Sequence, residues 1–447
     1  MPLGLYISVP FCRSKCSYCN FASNVFSRAV FQRYVDRVCA DIKNASRTAE
    51  QMAGRFERTV DSVYLGGGTP TILDITQLER LFVTISQNLE LLPDTEITVE
   101  CAPGTLKPAM LEAFQRCGVN RVSLGVQSFV DIEAASVGRL HDRATVVDDI
   151  ARLRTGGIPN INVDLIAGLP HQTMESWEFS LQAAVASGAP HVSVYMLEVD
   201  EGSRLGRELI VGGTRYHAHF VPDEDVTADL YEIACERFDR AGIRQYEISN
   251  FARLGHESRH NLKYWNRQPY LGFGVDAHSM LEADGDFARR RRHGCEAHTG
   301  GRDVVRIRDH NLTRTGGHDF SRADTAHNNG GGFRPCGSDV ESIRIATPDS
   351  LDEYLAAGLI KRTPVTRQAA LEETLFLGLR LTKGVDLTQV VAEFGKESVD
   401  GCARTIAELV EAKLLERHGN VIRLTPRGRL LSNEVFGRFI SVTQEVE

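Results

Sequence analysis

The chain has 447 residues, 42% of them hydrophobic and 25% charged, with a formal net charge of −8. That balance excludes a mainly disordered or collagen-like chain and suffices for two or three domains, while the negative charge gives nucleic acid no bulk electrostatic hold as a partner. No run of about 18 uncharged apolar residues occurs, so no membrane-spanning helix is expected, and the start Met1-Pro2-Leu3-Gly4-Leu5-Tyr6 lacks the basic and apolar regions of a signal peptide. The expected location is the cytoplasm.

In chain order, β-branched apolar runs fall at 5–9, 60–65, 96–100, 121–126, 161–166 and 191–195. Amphipathic stretches lie between them at 31–44, 75–88, 109–116, 145–154 and 174–186. Strand and helix in alternation predict a parallel sheet with crossover helices. Polar or glycine-rich residues follow nearly every predicted strand: Pro10-Phe11-Cys12, Gly66-Gly67-Gly68-Thr69-Pro70, Glu100, Gln127-Ser128-Phe129, and Asp164 with Gly168-Leu169-Pro170. One sheet edge that supplies a single site is the arrangement of a barrel rather than of a doubly wound sheet. The expected fold is therefore α/β, a partial (β/α)6 TIM-like barrel over 1–215, with an extension over 216–282 dense in aromatic and polar side chains. Residues 283–340 carry four consecutive arginines, three consecutive glycines and scattered histidines but no hydrophobic period, the composition of a disordered insertion. From 341 to 447 the pattern becomes helical, at 371–381, 387–394 and 402–413, and closes on a hairpin at 414–417 and 421–426. That is the outline of a small winged-helix-like domain.

Of ten cysteines, seven are scattered and three crowd into Cys12-Arg13-Ser14-Lys15-Cys16-Ser17-Tyr18-Cys19. In a reducing compartment such a cluster points to metal rather than to disulfides. Three thiolates on one loop can each hold one iron of a cubane, leaving the fourth iron open to a small molecule. Structural zinc is the competing reading, but it normally takes four ligands, and Phe21 stands where a fourth might have been.

The cysteine spacing at the end of a first strand, with Tyr18 beside the last cysteine, resembles the radical S-adenosylmethionine (SAM) superfamily. Tyr6–Cys12, Gly66–Pro70, Val126–Phe129, Gly138–His141, Asp164–Gln172 and Tyr246–Phe251 are similar to its coproporphyrinogen III dehydrogenase-like branch. His260-Asn261-Leu262-Lys263-Tyr264-Trp265 resembles the HNxxYW segment of that branch's HemW-type heme-chaperone subgroup. The resemblance implies a [4Fe-4S] cluster on Cys12, Cys16 and Cys19. It implies S-adenosyl-L-methionine contacts from Tyr6, Gly67, Gly68, Thr69, Glu100, Gln127, Arg139 and Asp164, and heme as a further ligand near His260. The residue types suit these roles: glycines let a ligand approach the backbone, strand-end carboxylates accept from an amine or a ribose hydroxyl, and Arg139 can fork onto a carboxylate. A tight turn at 66–68, a surface ion pair at Arg139 and a core hydrogen bond at His260 are the plainer readings of the same residues.

Two functions remain within the resemblance. One is a heme chaperone that binds heme and passes it to an acceptor protein. The other is oxygen-independent decarboxylation of coproporphyrinogen III. The dehydrogenase pattern has a cysteine at the position of Phe21 and an N-terminal extension that encloses substrate, whereas here the first strand follows Met1 closely. The branch's histidine two residues before Pro10 is replaced by Ser8. With the His260–Trp265 segment, these features favour the chaperone. His256 and Cys336 are weaker candidates for the heme iron. The arginines and histidines of the insertion suit heme propionates or a peripheral membrane contact, but a loop without function explains them more simply. The acceptor, the oligomeric state and any cleavage of the cofactor are left open.

Overall fold

A computed structural model describes residues 1–284, 340–356, 358 and 360–440. The insertion expected over 283–340 lies outside the described residues except at its two ends. Six strands run in the expected order: β1 (Leu3–Val9), β2 (Thr59–Gly67), β3 (Glu90–Cys101), β4 (Arg121–Gln127), β5 (Asn160–Ala167) and β6 (His191–Met196). Each pairs in parallel with the next. The crossovers are helices Phe31–Lys43, Ile75–Asn88, Pro108–Arg116, Arg143–Thr155 and Met174–Ala186. Local chemistry sets their ends. Asp74 and Gln77 form a reciprocal cap at the start of Ile75–Asn88, and Thr173 with Ser176 does the same for Met174–Ala186. Leu78, Leu81, Phe82 and Ile85 recur at helical spacing on the buried face of Ile75–Asn88.

The strands are buried on both faces, yet they alternate. Leu5, Ile7, Val63, Leu65, Val99, Val122, Leu124, Ile161, Val163, Val192 and Val194 belong to the apolar core under the helices. The residues between them are Tyr6, Ser62, Tyr64, Thr98, Glu100, Arg121, Ser123, Asn162, Asp164, His191 and Ser193. Purely packed parallel sheets read as continuous hydrocarbon. Here the concave face is a polar lumen, and its side chains hydrogen-bond one another.

The sheet extends at both edges. β7 (Arg244–Glu247) and β8 (Asn250–Ala252) continue it antiparallel beside β6. On the other side, β9 (Tyr270–Phe273) runs parallel to β1, followed antiparallel by β10 (His278–Glu282), β11 (Val340–Ala346) and β12 (Lys361–Thr366). The order is β12-β11-β10-β9-β1-β2-β3-β4-β5-β6-β8-β7, a mixed open sheet rather than a closed barrel. Residues 340–346 and 361–366 thus pair into this sheet, although the sequence reading began the C-terminal domain at 341. Their partners are remote in the chain, and periodicity does not report such pairing.

A second apolar core gathers Leu371, Leu375, Val390, Phe394, Ile406, Leu409 and Ile422. Helices Arg367–Arg380, Leu387–Phe394 and Ala403–Glu411 pack there against a three-stranded sheet of β13 (Val385–Asp386), β14 (Leu415–His418) and β15 (Val421–Leu424). This is the expected winged-helix-like unit. One carboxylate ties it to the barrel: Glu373 accepts from Arg267 at 3.1 Å and from Arg344 at 2.8 Å, all three nearly buried. Replacing Glu373 by Ala removes the charge that both arginines share, and loss of a buried partner costs about 3–5 kcal/mol. The urea unfolding midpoint is expected to fall accordingly; an unchanged midpoint would show that the carboxylate contributes nothing to holding the two parts together.

Candidate functional site

The three cysteines follow β1 on a loop that closes on itself. Cys12 N donates to Asn24 O at 3.0 Å and Asn24 N to Pro10 O at 2.9 Å. Its outer turn is held by Ser17 N on Val137 O (3.1 Å) and Leu205 N on Ser17 O (2.9 Å). All three thiols are free and partly buried. Each sulfur has its own polar neighbour: Thr69 Oγ1 donates to Cys12 at 3.9 Å, Arg139 Nη1 to Cys16 at 3.6 Å, and Ser23 Oγ lies 3.9 Å from Cys19. Donors beside thiolate sulfur stabilise its charge and tune a cluster. Burial raises the Cys12 and Cys19 thiols above their ordinary range, so metal binding must displace their protons. Tyr18 packs behind the loop on Val137, Ile166 and Leu169.

The glycine run serves this loop. Gly68 N donates to Val9 O at 2.9 Å and Thr69 N to Phe11 O at 2.8 Å. A β-carbon on Gly68 would stand 2.6 Å from Val9 O and 2.8 Å from Phe11 O, so only glycine allows the approach. Gly67 has φ +96, and a β-carbon there would meet Ser8 Oγ at 2.9 Å.

The remaining candidates lie along the same edge. Among the described residues Arg139 makes no surface ion pair. Its Nη2 donates to Gly125 O, and its buried Nε has no hydrogen-bond partner. Gln127 ends β4 in the left-handed region at φ +64, beside a register shift, with a buried and unpartnered Oε1. Asp164 accepts from Ser123 Oγ at 3.0 Å and Asn162 Nδ2 at 2.7 Å, and burial pushes its carboxyl up. Glu100 accepts from the Tyr64 hydroxyl at 2.9 Å; burial, and then the charge of Asp164, push it up to about 7. The Tyr6, Tyr64 and His260 rings form a cluster, with Tyr6 6.2 and 6.5 Å from the other two centroids and those two 5.4 Å apart.

Of these residues, Tyr6, Tyr64, Glu100 and His260 border a cavity with about 850 Å³ of empty volume, solvent at its mouth included. Tyr6, Tyr64, Glu100, His260 and Tyr264 line it from the sheet side, and Phe21 and Ser23 from the cysteine loop. His260 belongs to helix Arg259–Trp265, which Glu96 anchors by accepting from the backbone N–H of Arg259 and of His260, each at 3.1 Å. Its ring is 1% exposed, with Nδ1 3.0 Å from Ser62 Oγ and Nε2 2.8 Å from the Tyr264 hydroxyl. Both nitrogens are engaged, so a metal in the cavity reaches Nε2 only if Tyr264 moves. His256 lies apart, 3.5 Å from Asn160 Oδ1. Cys336 lies outside the described residues.

The sequence reading missed Tyr64, Glu96 and Arg121, all on inward strand positions that the alternation of β2, β3 and β4 marks as lumenal. Among the described residues, no three His, Cys, Asp or Glu side chains surround a point that one metal ion could occupy. A cubane makes a different demand, since each thiolate takes a separate iron. Three free thiols with neighbouring donors, the Gly68 cradle and the orphaned atoms of Arg139 and Gln127 fit a cluster with a polar cofactor beside it.

The chain is similar to known proteins in both sequence and fold. Residues 6–184 match the radical SAM superfamily model, and residues 365–431 match that of the HemN C-terminal domain. The chain is 31% identical to the heme chaperone HemW of Bacillus subtilis, over 97% of this chain and 98% of that protein. It is 36% identical to HemW of Synechocystis over 66% and 70% of the two chains, and 32% identical to mouse mitochondrial radical S-adenosyl methionine domain-containing protein 1 over 82% and 74%. The solved structure of coproporphyrinogen III oxidase (HemN) from Escherichia coli, a radical SAM enzyme, shares the fold at a TM-score of 0.72 and 21% identity, over 98% and 90% of the chains. Among the described residues no helix is long and apolar enough to cross a membrane.

Substituting Gly68 by Ala should push the glycine loop off the end of β1 and misplace Cys12. Iron retained after anaerobic reconstitution is expected to drop well below wild type, whereas Cys101→Ser, a buried cysteine outside the loop, should retain it fully. Equal iron in the Gly68 variant would remove that glycine from the site.

Proposed function

The chain belongs to the HemW family of the radical SAM superfamily, and on that premise we propose that it is a heme chaperone, which binds heme in the cavity beside the cysteine loop and delivers it to an acceptor protein. Radical SAM proteins are built around a [4Fe-4S] cluster and SAM. In this chain Cys12, Cys16 and Cys19 would hold the cluster, and Tyr6, Gly67, Gly68, Thr69, Glu100, Gln127, Arg139 and Asp164 would hold SAM. Bound together, the two supply one-electron chemistry at the cofactor's sulfonium.

The observation that carries the chaperone reading is the position of helix Arg259–Trp265. One side of this helix gives His260, Asn261 and Tyr264 to the cavity wall. The same helix packs Trp265 with Leu377 and Leu381 of the C-terminal unit, Leu262 and Tyr264 joining that cluster, and the guanidinium of Arg380 lies 4.1 Å over the Trp265 ring. A flat aromatic macrocycle suits a wall of tyrosines and histidine, and any movement of that wall is felt directly by the C-terminal unit, the part we assign to meeting the acceptor. Heme iron accepts histidine, so His260 remains the proposed ligand, with Tyr264 acting as the group that covers Nε2 until heme enters.

The test is titration of the anaerobically reconstituted protein with heme, followed by incubation with coproporphyrinogen III. A saturable heme complex without turnover is expected; turnover with no stable complex would overturn the proposal. His260→Ala should weaken heme binding about tenfold, the loss expected for roughly 1.4 kcal/mol. Tyr264→Phe, which uncovers Nε2, should bind at least as tightly as wild type. Equal affinity in His260→Ala would exclude that residue as ligand.

SAM binding should also respond to pH. Glu100 accepts hydrogen bonds as a carboxylate, and its folded value is raised to about 7. Affinity is therefore expected to be full above that pH and to fall below it, up to about tenfold per pH unit. A flat profile between pH 6 and 8 would separate Glu100 from the cofactor.

A further inference from the structure

Arg121 opens β4 and points into the lumen, 2% exposed. Among the described residues its guanidinium makes no ion pair, and its buried Nε has no hydrogen-bond partner. An arginine sealed inside a protein without a partner is costly, because the charge loses its water and recovers nothing. Something in the lumen must offset it.

Register shows what that is. Arg121 pairs with Thr98 of β3 and Asn160 of β5. The next inward residue on β3 is Glu100, about 7 Å farther along the strand at the usual rise per residue, and Asp164 lies farther along β5. Ser123, the next inward residue on β4, already donates to Asp164. The other lumenal neighbours cannot compete as anions at neutral pH. Tyr64 and Tyr246 are held protonated chiefly by burial, and His191 is held neutral by burial and then by the charge of Arg121. Two carboxylates that share a lumen repel each other; Asp164 also faces the Arg139 guanidinium, and the cation that lowers both carboxyls is Arg121.

We infer that Arg121 is a positioning residue, the counter-charge that lets Glu100 and Asp164 stand ionised together at the cofactor edge. Its own place is one step deeper in the lumen, so it acts through them rather than by touching the cofactor. The inference rests on the proposed SAM site, and its test separates the two. The groups facing Glu100 from the surrounding elements are Tyr6, Tyr64, Arg121, Asp164, Tyr195 and Tyr264; of these only Arg121 is cationic.

The experiment is anaerobic equilibrium binding of SAM to cluster-loaded protein between pH 6 and 9. For Arg121→Met, which keeps the buried stem but not the charge, the inflection is expected to move up by about one pH unit and affinity at pH 7 to fall about fivefold. Arg121→Lys should restore most of the wild-type profile, a rescue that a purely space-filling role would not give. Superimposable profiles for wild type and Arg121→Met would overturn the inference. A second measurement covers the case in which Arg121→Met folds poorly: adding Glu100→Gln removes the uncompensated carboxylate and should raise the urea midpoint of the Arg121→Met protein, and no coupling between the two substitutions would also overturn it. If wild type binds no SAM at any pH, the cofactor assignment fails, while the coupling of Arg121 with Glu100 is still decided by unfolding.

Discussion

The structure depends on one constraint: a parallel sheet covered by helices on one face must bury its other face without filling it. Each of the six strands meets that constraint by alternation. Hydrocarbon goes to the helices, and hydroxyls, amides, acids and a single arginine go to the lumen. Polar groups taken from water must be repaid by hydrogen bonds, so the lumen is wired: His191 to Asn162 and Tyr246, Ser193 to Asn250, Asn162 to Asp164, Tyr64 to Glu100. What the network leaves over collects at the C-terminal edge, where Glu100 and the cysteine-loop residues Phe21 and Ser23 line the cavity, and where Asp164, the orphaned Nε of Arg139 and Oε1 of Gln127 and the three thiols lie nearby.

The same wiring carries the site outward. Asn250 donates to Glu247, which also accepts from Arg380 at 3.3 Å, and the guanidinium of Arg380 lies over Trp265. The chain of contacts runs from the lumen through the segment 246–251 to the helix of the cavity wall and the first helix of the C-terminal unit. The proposed capture of heme at one end and its presentation to an acceptor at the other would need such a connection, and the one present is made of packed side chains.

Much of this was legible in the sequence, for physical reasons that differ from part to part. The strands and crossover helices showed because their periods of two and 3.6 are local properties. The cysteine loop showed because three soft ligands in eight residues have few other uses. The edge strands β11 and β12 did not show, since their pairing joins segments far apart in the chain. Arg121 and Glu96 were passed over because each reads locally as an ordinary charged residue beside a strand; only the inward register gives them meaning. His260 was visible as a candidate, but a sequence does not show that Ser62 and Tyr264 already occupy both of its nitrogens.

The central claim is that Cys12, Cys16 and Cys19 hold an iron–sulfur cubane with one corner free for a cofactor. It is tested most directly by electron paramagnetic resonance of the anaerobically prepared, reduced protein before and after addition of SAM. The account predicts a cubane signal whose g-values shift when the cofactor occupies the free iron. Zinc or no metal in the protein, or a cluster signal that the cofactor leaves unmoved, would contradict it.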